Sequence, residues 1–285
     1  MSKAKYSKLL SNVLKDLPDE RDFIYSPIKT KAPLPEKYIN TNIQEIENQY
    51  SLGSCVANAC VSSLEMMHTF KKLNLSRLFM YYNLRKDYAN LIGKDIGSYT
   101  RDAYKYANKY GICSEEAYPY IIENVHNVPP QEAYDAANFK VLKYERINKI
   151  VNDVKDAVFK NNAVIISMQL GKTFYSVKGP LDKQNYKAIS ATNTSIGGHA
   201  MSVVGWDLNG FIIENSWGDK WGDKGLFLLK YDVFDADVWD IWTATEITTD
   251  KSAPSKLTFL DKIKNFFKGI FNYVKTIPGK LLNWF

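Results

Sequence analysis

Few side chains in this chain can act as nucleophile or general base. It has three cysteines (Cys55, Cys60, Cys113) and three histidines (His68, His126, His199) among 285 residues. Cys55 follows Gly53-Ser54 and stands where apolar or small residues begin to recur every three or four positions, through Val56, Ala59, Ser63, Met66, Met67 and Phe70. That spacing predicts a helix with Cys55 at its start. The partial positive charge of a helix N-terminus favours thiolate over thiol, and a thiolate beside an imidazolium attacks carbonyl carbon. Cys60 lies deeper in the same helix and reads as a small core residue, while Cys113 follows a turn with nothing to activate it. His199 sits in Gly197-Gly198-His199-Ala200 at the head of an apolar strand, where glycines allow another backbone to approach closely. His68, on the helix, and His126, in a polar loop, read as structural or solvent-exposed.

The elements that must position these groups fall into two halves. After the Cys55 helix, a second is predicted behind Ser76 as N-cap, and a third over about Tyr99–Tyr110, stopped by Gly111. From Phe139 the pattern turns to strands: VLKYERI, AVIISMQL, HAMSVVGW, GFIIENSW, GLFLLKY and DIWTATEI, interrupted by one helix near 150–160. Helices first and strands later predict an α+β protein of two packed lobes. The boundaries are read as a helical lobe over about 35–138 and a β lobe over about 139–249, flanked by an arm (1–34) and a tail (250–285).

Composition narrows the class further. Hydrophobic residues make up 45% of the chain, enough for a sizeable core. The formal net charge is +6, with +3 in residues 1–34 and +5 in residues 250–285, so the domain between is nearly balanced and slightly acidic. A nucleic-acid partner is therefore not expected. The first twenty residues lack an apolar signal-peptide core, no apolar run reaches transmembrane length, and Cys55 and Cys60 point to different faces of one helix. These features fit a reducing environment, either inside a cell or packaged in a virion. No metal or cofactor is expected.

The segments NQYSLGSCVANAC, GGHAMSVVGWD and IIENSWGDKWGDKG, in that order, resemble the three active-site blocks of papain-like cysteine proteases of the cathepsin type, nearest to the cathepsin B branch. His199 lies 144 residues and Asn215 lies 160 residues after Cys55, close to that family's interval of about 130–150. The resemblance covers about residues 34–247 and implies a papain-like fold, with a helical lobe, a β-barrel-like lobe and the active-site cleft between them. It implies a cysteine endopeptidase acting on polypeptides through an acyl-enzyme. Cys55 would be the nucleophile and His199 its partner, held as a thiolate–imidazolium pair with a low thiol pKa. Asn215 would orient the ring, and Gln49 would supply an oxyanion donor together with the backbone N–H of Cys55. Gly97, Ser98, Gly198 and Trp217 would face substrate, with Trp217 also covering the His–Asn bond. The wall of the second subsite would come from the segment holding Asp232, Asp235, Asp237 and Asp240, an acid there admitting a basic side chain.

The sequence also departs from the family. Val56 replaces the usual aromatic residue, Leu52 stands in place of a Cys, and Ser98 replaces a glycine. The loop after Tyr118-Pro119-Tyr120 is short and lacks the His-bearing insertion of cathepsin B, which argues for endopeptidase action. In place of a long prodomain there are only residues 1–34, read either as a short inhibitory segment lying over the cleft or as an arm packed elsewhere. Residues 257–277 show an apolar stripe of Leu260, Ile263, Phe267, Ile270 and Val274 opposite lysines, the pattern of a helix that docks on an anionic membrane or a protein partner. Two other readings of the same residues are a papain-fold amidase or transferase and a catalytically silent binding scaffold.

Overall fold

The computed structural model describes residues 13–27, 33–67, 73–88, 93–189 and 194–249. His68 and the stripe at 257–277 lie outside these described residues. The first half is helical: α1 (Cys55–Met67), α2 (Arg77–Lys86), α3 (Thr100–Lys109) and the short α4 (Gln131–Asp135). Ser76 caps α2, its side chain accepting from the N–H of Phe79 at 3.1 Å. α1 is buried almost all round, because it runs between α2 and α3 on one side and the sheet on the other. Short-range periodicity alone would have left it one wet face.

Gly111 ends the third helical segment with φ +73°, and a Cβ there would sit 2.3 Å from the carbonyl oxygen of Ala137. Both the left-handed backbone and the close approach require glycine. Gly111→Ala is expected to cost about 3 kcal/mol of stability, readable as a lower urea midpoint with an unchanged slope. An unmoved midpoint would show that the chain reroutes around the added methyl.

The second half is a seven-stranded antiparallel sheet. Its strands are β1 (Tyr38–Ile39), β2 (Lys140–Arg146), β3 (Ala163–Gly171), β4 (Ser195–Trp206), β5 (Gly210–Glu214), β6 (Leu226–Lys230) and β7 (Val238–Thr248). The order is β2-β7-β3-β4-β5-β6, with β1 added to β4 through Tyr38↔Trp206 and Ile39↔Gly205. Helices α5 (Val151–Phe159) and α6 (Tyr231–Asp237) pack beside it. The α+β class is as the sequence implied, but the sheet is open and does not close into the expected barrel: β2 and β6 stand at opposite ends of the hydrogen-bonded order. The six strands and four of the helices read from sequence are present. β1, α4 and α6 were not anticipated, being too short to show a period.

Two large buried clusters follow from this arrangement. One surrounds α1–α3 and contains Cys55, Cys60 and Cys113, and the other fills the sheet side with Trp206, Phe174, Phe211, Phe227 and Trp217. β4 links the lobes, since it pairs with β3 and β5 while packing on α1. The start of α1 and the middle of β4, where His199 and Ala200 lie, are thereby brought together.

Candidate active site

Cys55 opens α1. Its helix begins with the bond from the Asn58 N–H to the Ser54 carbonyl at 3.0 Å, so the N–H groups of the first turn have no intrahelical acceptor. The Cys55 sulfur receives backbone N–H groups from Val56 and from Ala200, the residue after His199. On β4, His199 is fully buried and its Nε2 meets Oδ1 of Asn215 at 2.7 Å. That Oδ1 also accepts from the Ser216 N–H at 2.9 Å, which marks it as the oxygen of the amide. The other ring nitrogen, Nδ1, has no protein partner. Trp217 lies 5.3 Å from the imidazole, ring centre to ring centre, and is itself walled by Phe174 and Trp221. The His–Asn bond is thus kept from water.

Gln49 joins the two lobes. Its Oε1 accepts from the Ser216 hydroxyl at 2.6 Å, its Nε2 donates to the Leu52 carbonyl at 2.9 Å, and its N–H donates to the Ser216 carbonyl at 2.9 Å. One amide hydrogen of Gln49 is left for another acceptor. The turn from Gln49 to Cys55 is braced by groups the sequence reading did not single out. Tyr120 shares a hydrogen bond with Ser54 Oγ at 2.6 Å and donates to the Gln49 carbonyl at 3.1 Å, with the Arg77 guanidinium 4.2 Å above its ring. Asp95 accepts from the Gly53 N–H and from Tyr81. A Tyr or Asp far away in sequence gives no local sign of such bracing.

Burial in this structure opposes the low-pKa ion pair that the family resemblance implied. Burial pushes the Cys55 thiol up to about 11 against its three backbone donors, and burial pulls His199 down to about 4 against the bond to Asn215. Burial thus works against the ionised form of both groups. The N-terminal arm lies beside this site. Val13 belongs to the same buried cluster as Cys55 and Ala200, and its carbonyl oxygen lies against Gly198, 3.1 Å from where a Cβ would stand. The next residue, Leu14, donates its N–H to the Ser98 carbonyl at 3.2 Å and pairs in parallel with Tyr99. The arm therefore contacts Ser98 and Gly198, two of the positions read as substrate-facing.

Beyond Leu14 the arm is pinned by charge. The Asp16 N–H donates to Asp240 at 2.8 Å, and the Asp16 carboxyl accepts from the Trp242 indole at 2.8 Å and the Arg101 N–H at 3.1 Å. Arg101 pairs with Asp22, and Arg146 with Asp240. Of the four aspartates read as a subsite wall, Asp232 and Asp235 are exposed and Asp240 is taken by the arm and Arg146. Only Asp237 lines the adjoining cavity of about 480 Å³, with Gln169, Val238, Trp239 and the arm's Lys15. Among the described residues no group of three or more His, Cys, Asp or Glu side chains is arranged to hold a metal ion.

A two-lobed α+β chain whose helix-start cysteine meets, at Ala200, the strand that carries a buried His–Asn pair has the arrangement of a thiol hydrolase. The family model for papain family cysteine proteases matches residues 36–249. The chain is 34% identical over 226 residues to an uncharacterized peptidase C1-like protein of Acanthamoeba polyphaga mimivirus, covering 72% of this chain and 71% of that one. It is 27% identical over 213 residues to a cysteine protease of Blomia tropicalis, covering 70% and 62%. Among solved structures, xylellain, a cysteine protease from Xylella fastidiosa, superposes with a TM-score of 0.73 at 27% identity, over 84% of this chain and 96% of that one. A procathepsin B from Trypanosoma congolense shares the fold with a TM-score of 0.65 at 16% identity, over 88% and 90%. The chain belongs to the papain family and is a cysteine peptidase acting on polypeptides.

Proposed function

We propose that this chain is an endopeptidase that cleaves through Cys55, His199, Asn215 and Gln49, and that residues 13–25 of its own arm inhibit it by lying in the cleft. The observation that carries the reading is the meeting of Cys55, at the start of α1, with the strand that holds His199 bonded to Asn215. With Nε2 tied to Asn215, Nδ1 of His199 is the nitrogen left to take the thiol proton. The sulfur then bonds to the substrate carbonyl carbon and the carbonyl oxygen becomes an oxyanion. The free amide hydrogen of Gln49 and the N–H of Cys55 hold that charge. As the C–N bond breaks, His199 returns its proton to the leaving amine, and an acyl-thioester remains. A water deprotonated by His199 attacks it, releasing the acid and the thiol.

Opening the cleft is part of this mechanism. The neutral Cys–His pair of the covered site gains water, and with it the ion pair, when the arm lifts. The short turn at Ile122–Asn124 after Tyr120 leaves no inserted loop to block one end of the groove, in keeping with internal cleavage. Reaction with an epoxysuccinyl inhibitor and turnover of dipeptidyl fluorogenic amides test the reading together. Labelling without peptide cleavage would point to an amidase or transferase, and neither to a silent scaffold.

Gln49→Ala is expected to lower kcat 10²- to 10³-fold, roughly the worth of one oxyanion donor. Because Gln49 also ties Ser216 to the Leu52 turn, its melting temperature must be compared too. A near-normal kcat in a folded variant would remove Gln49 from the reaction.

A further inference from the structure

Beside Asn215 lies a small cavity of about 10 Å³ lined by Glu214, Asn215, Ser62, Ser216 and Glu47. That volume matches a single water. Two polar atoms of the residues lining it have no partner among the described residues: Oε2 of Glu214 and Nδ2 of Asn215. Both residues are almost wholly buried, so bulk water does not reach them. We propose that Glu214 is a positioning residue for the candidate His–Asn pair, acting through one water that accepts from Asn215 Nδ2 and donates to Glu214 Oε2. The proposal rests on the catalytic reading above and adds a residue to it.

The need for such a residue follows from the geometry of an amide. Asn215 serves His199 only with Oδ1 toward the ring, and its Nδ2 must then be met on the far side or the amide is free to turn. The Ser216 N–H secures the oxygen, and among the described residues no group secures the nitrogen. A water with a donor on one side and a carboxyl on the other completes the set. Glu214 is held for this task from several directions. It is hydrogen-bonded by Ser62, and Ser202 stands opposite it on β4, while the nearby acids Glu47 and Glu65 disfavour its charge. Arg77 neutralises Glu47 at 2.8 Å. Burial raises Glu214 to about 7, so the site keeps an oxygen acceptor in either protonation state.

The test uses the full chain and a dipeptidyl amide substrate. Glu214→Leu is expected to lower kcat about 10-fold with KM unchanged. Glu214→Gln, which keeps a carbonyl oxygen for the water, restores kcat to within about 3-fold. In an Asn215→Ala background, Glu214→Leu should have no further effect, because the residue it acts through is gone. An equal 10-fold loss in that background would mean that Glu214 supports the lobe generally, and would overturn the proposal. So would a high-resolution crystal structure with the cavity dry. Asn215→Ala leaving activity intact would instead strike at the catalytic reading itself, and the positioning role would fall with it.

Discussion

Cys55→Ala and His199→Ala are each expected to cut kcat/KM by about 10⁴-fold or more, since nucleophile and base act as a unit and either loss stops the covalent route. The same substitution at Cys60 or Cys113 should leave most of the activity. Cys60 sits inside α1, fully buried, with its thiol pushed up by burial alone, and Cys113 is likewise raised, to about 11, by burial. Cys55 is also raised, so the distinction between the three thiols does not lie in pKa within the covered site. It lies in position. Cys55 has the first-turn N–H of Val56, the N–H of Ala200 and the neighbouring His199, while Cys60 has a packed helix interior. Removing Cys60 opens a small apolar void and should appear as lost stability with kcat retained. Activity surviving in Cys55→Ala would defeat the assignment of the site.

The arm carries the second large effect. A net docking of about 4 kcal/mol would leave about one chain in 10³ open. A chain starting at Leu34 is thus expected to be about 10³-fold more active than the full one at acid pH. The advantage should shrink as pH rises, for the following reason. Docking buries Asp16 beside Asp240, and burial together with that neighbouring carboxylate raises Asp16 to about 7, against the weaker pull of Trp242 and Arg101. A free arm would ionise near ~3.9. The docked pKa is the higher one, so docking is strongest below about pH 4 and weakens as pH climbs through 7. The cations Arg101, Arg146 and Lys15 around the pair oppose this rise and keep part of the docking energy at neutral pH. Asp16→Asn, which cannot ionise, should keep the full-length protein inhibited at pH 8. Initial rates of the three proteins from pH 4 to 8 decide the matter. Equal activity of full and shortened chains at every pH would show that the arm does not inhibit. A constant ratio across pH, with inhibition intact, would remove only the Asp16 latch.

The chemistry-bearing positions were legible because their signals are local. A cysteine at the first residue of an apolar helical period, a histidine after two glycines at a strand head and an asparagine before Ser-Trp declare themselves within a few residues. Helix and strand periods in α1–α3 and β2–β7 are equally short-ranged, and they were read to within a few residues of their ends. Ordering along the chain also sufficed to pair the three blocks as one site, through the resemblance to the papain family. Tertiary structure decided everything that depends on which distant residues share a volume. That includes the open sheet, the bracing of the Cys55 turn by Tyr120 and Asp95, the cavity beside Asn215, and the diversion of Asp240 from the subsite to the arm. It also decided charge. A helix-start cysteine beside a histidine promises a thiolate from sequence, yet desolvation is a property of the whole packed surface. At Cys55 burial outweighs the backbone N–H groups of the helix start, and at His199 it outweighs the bond to Asn215.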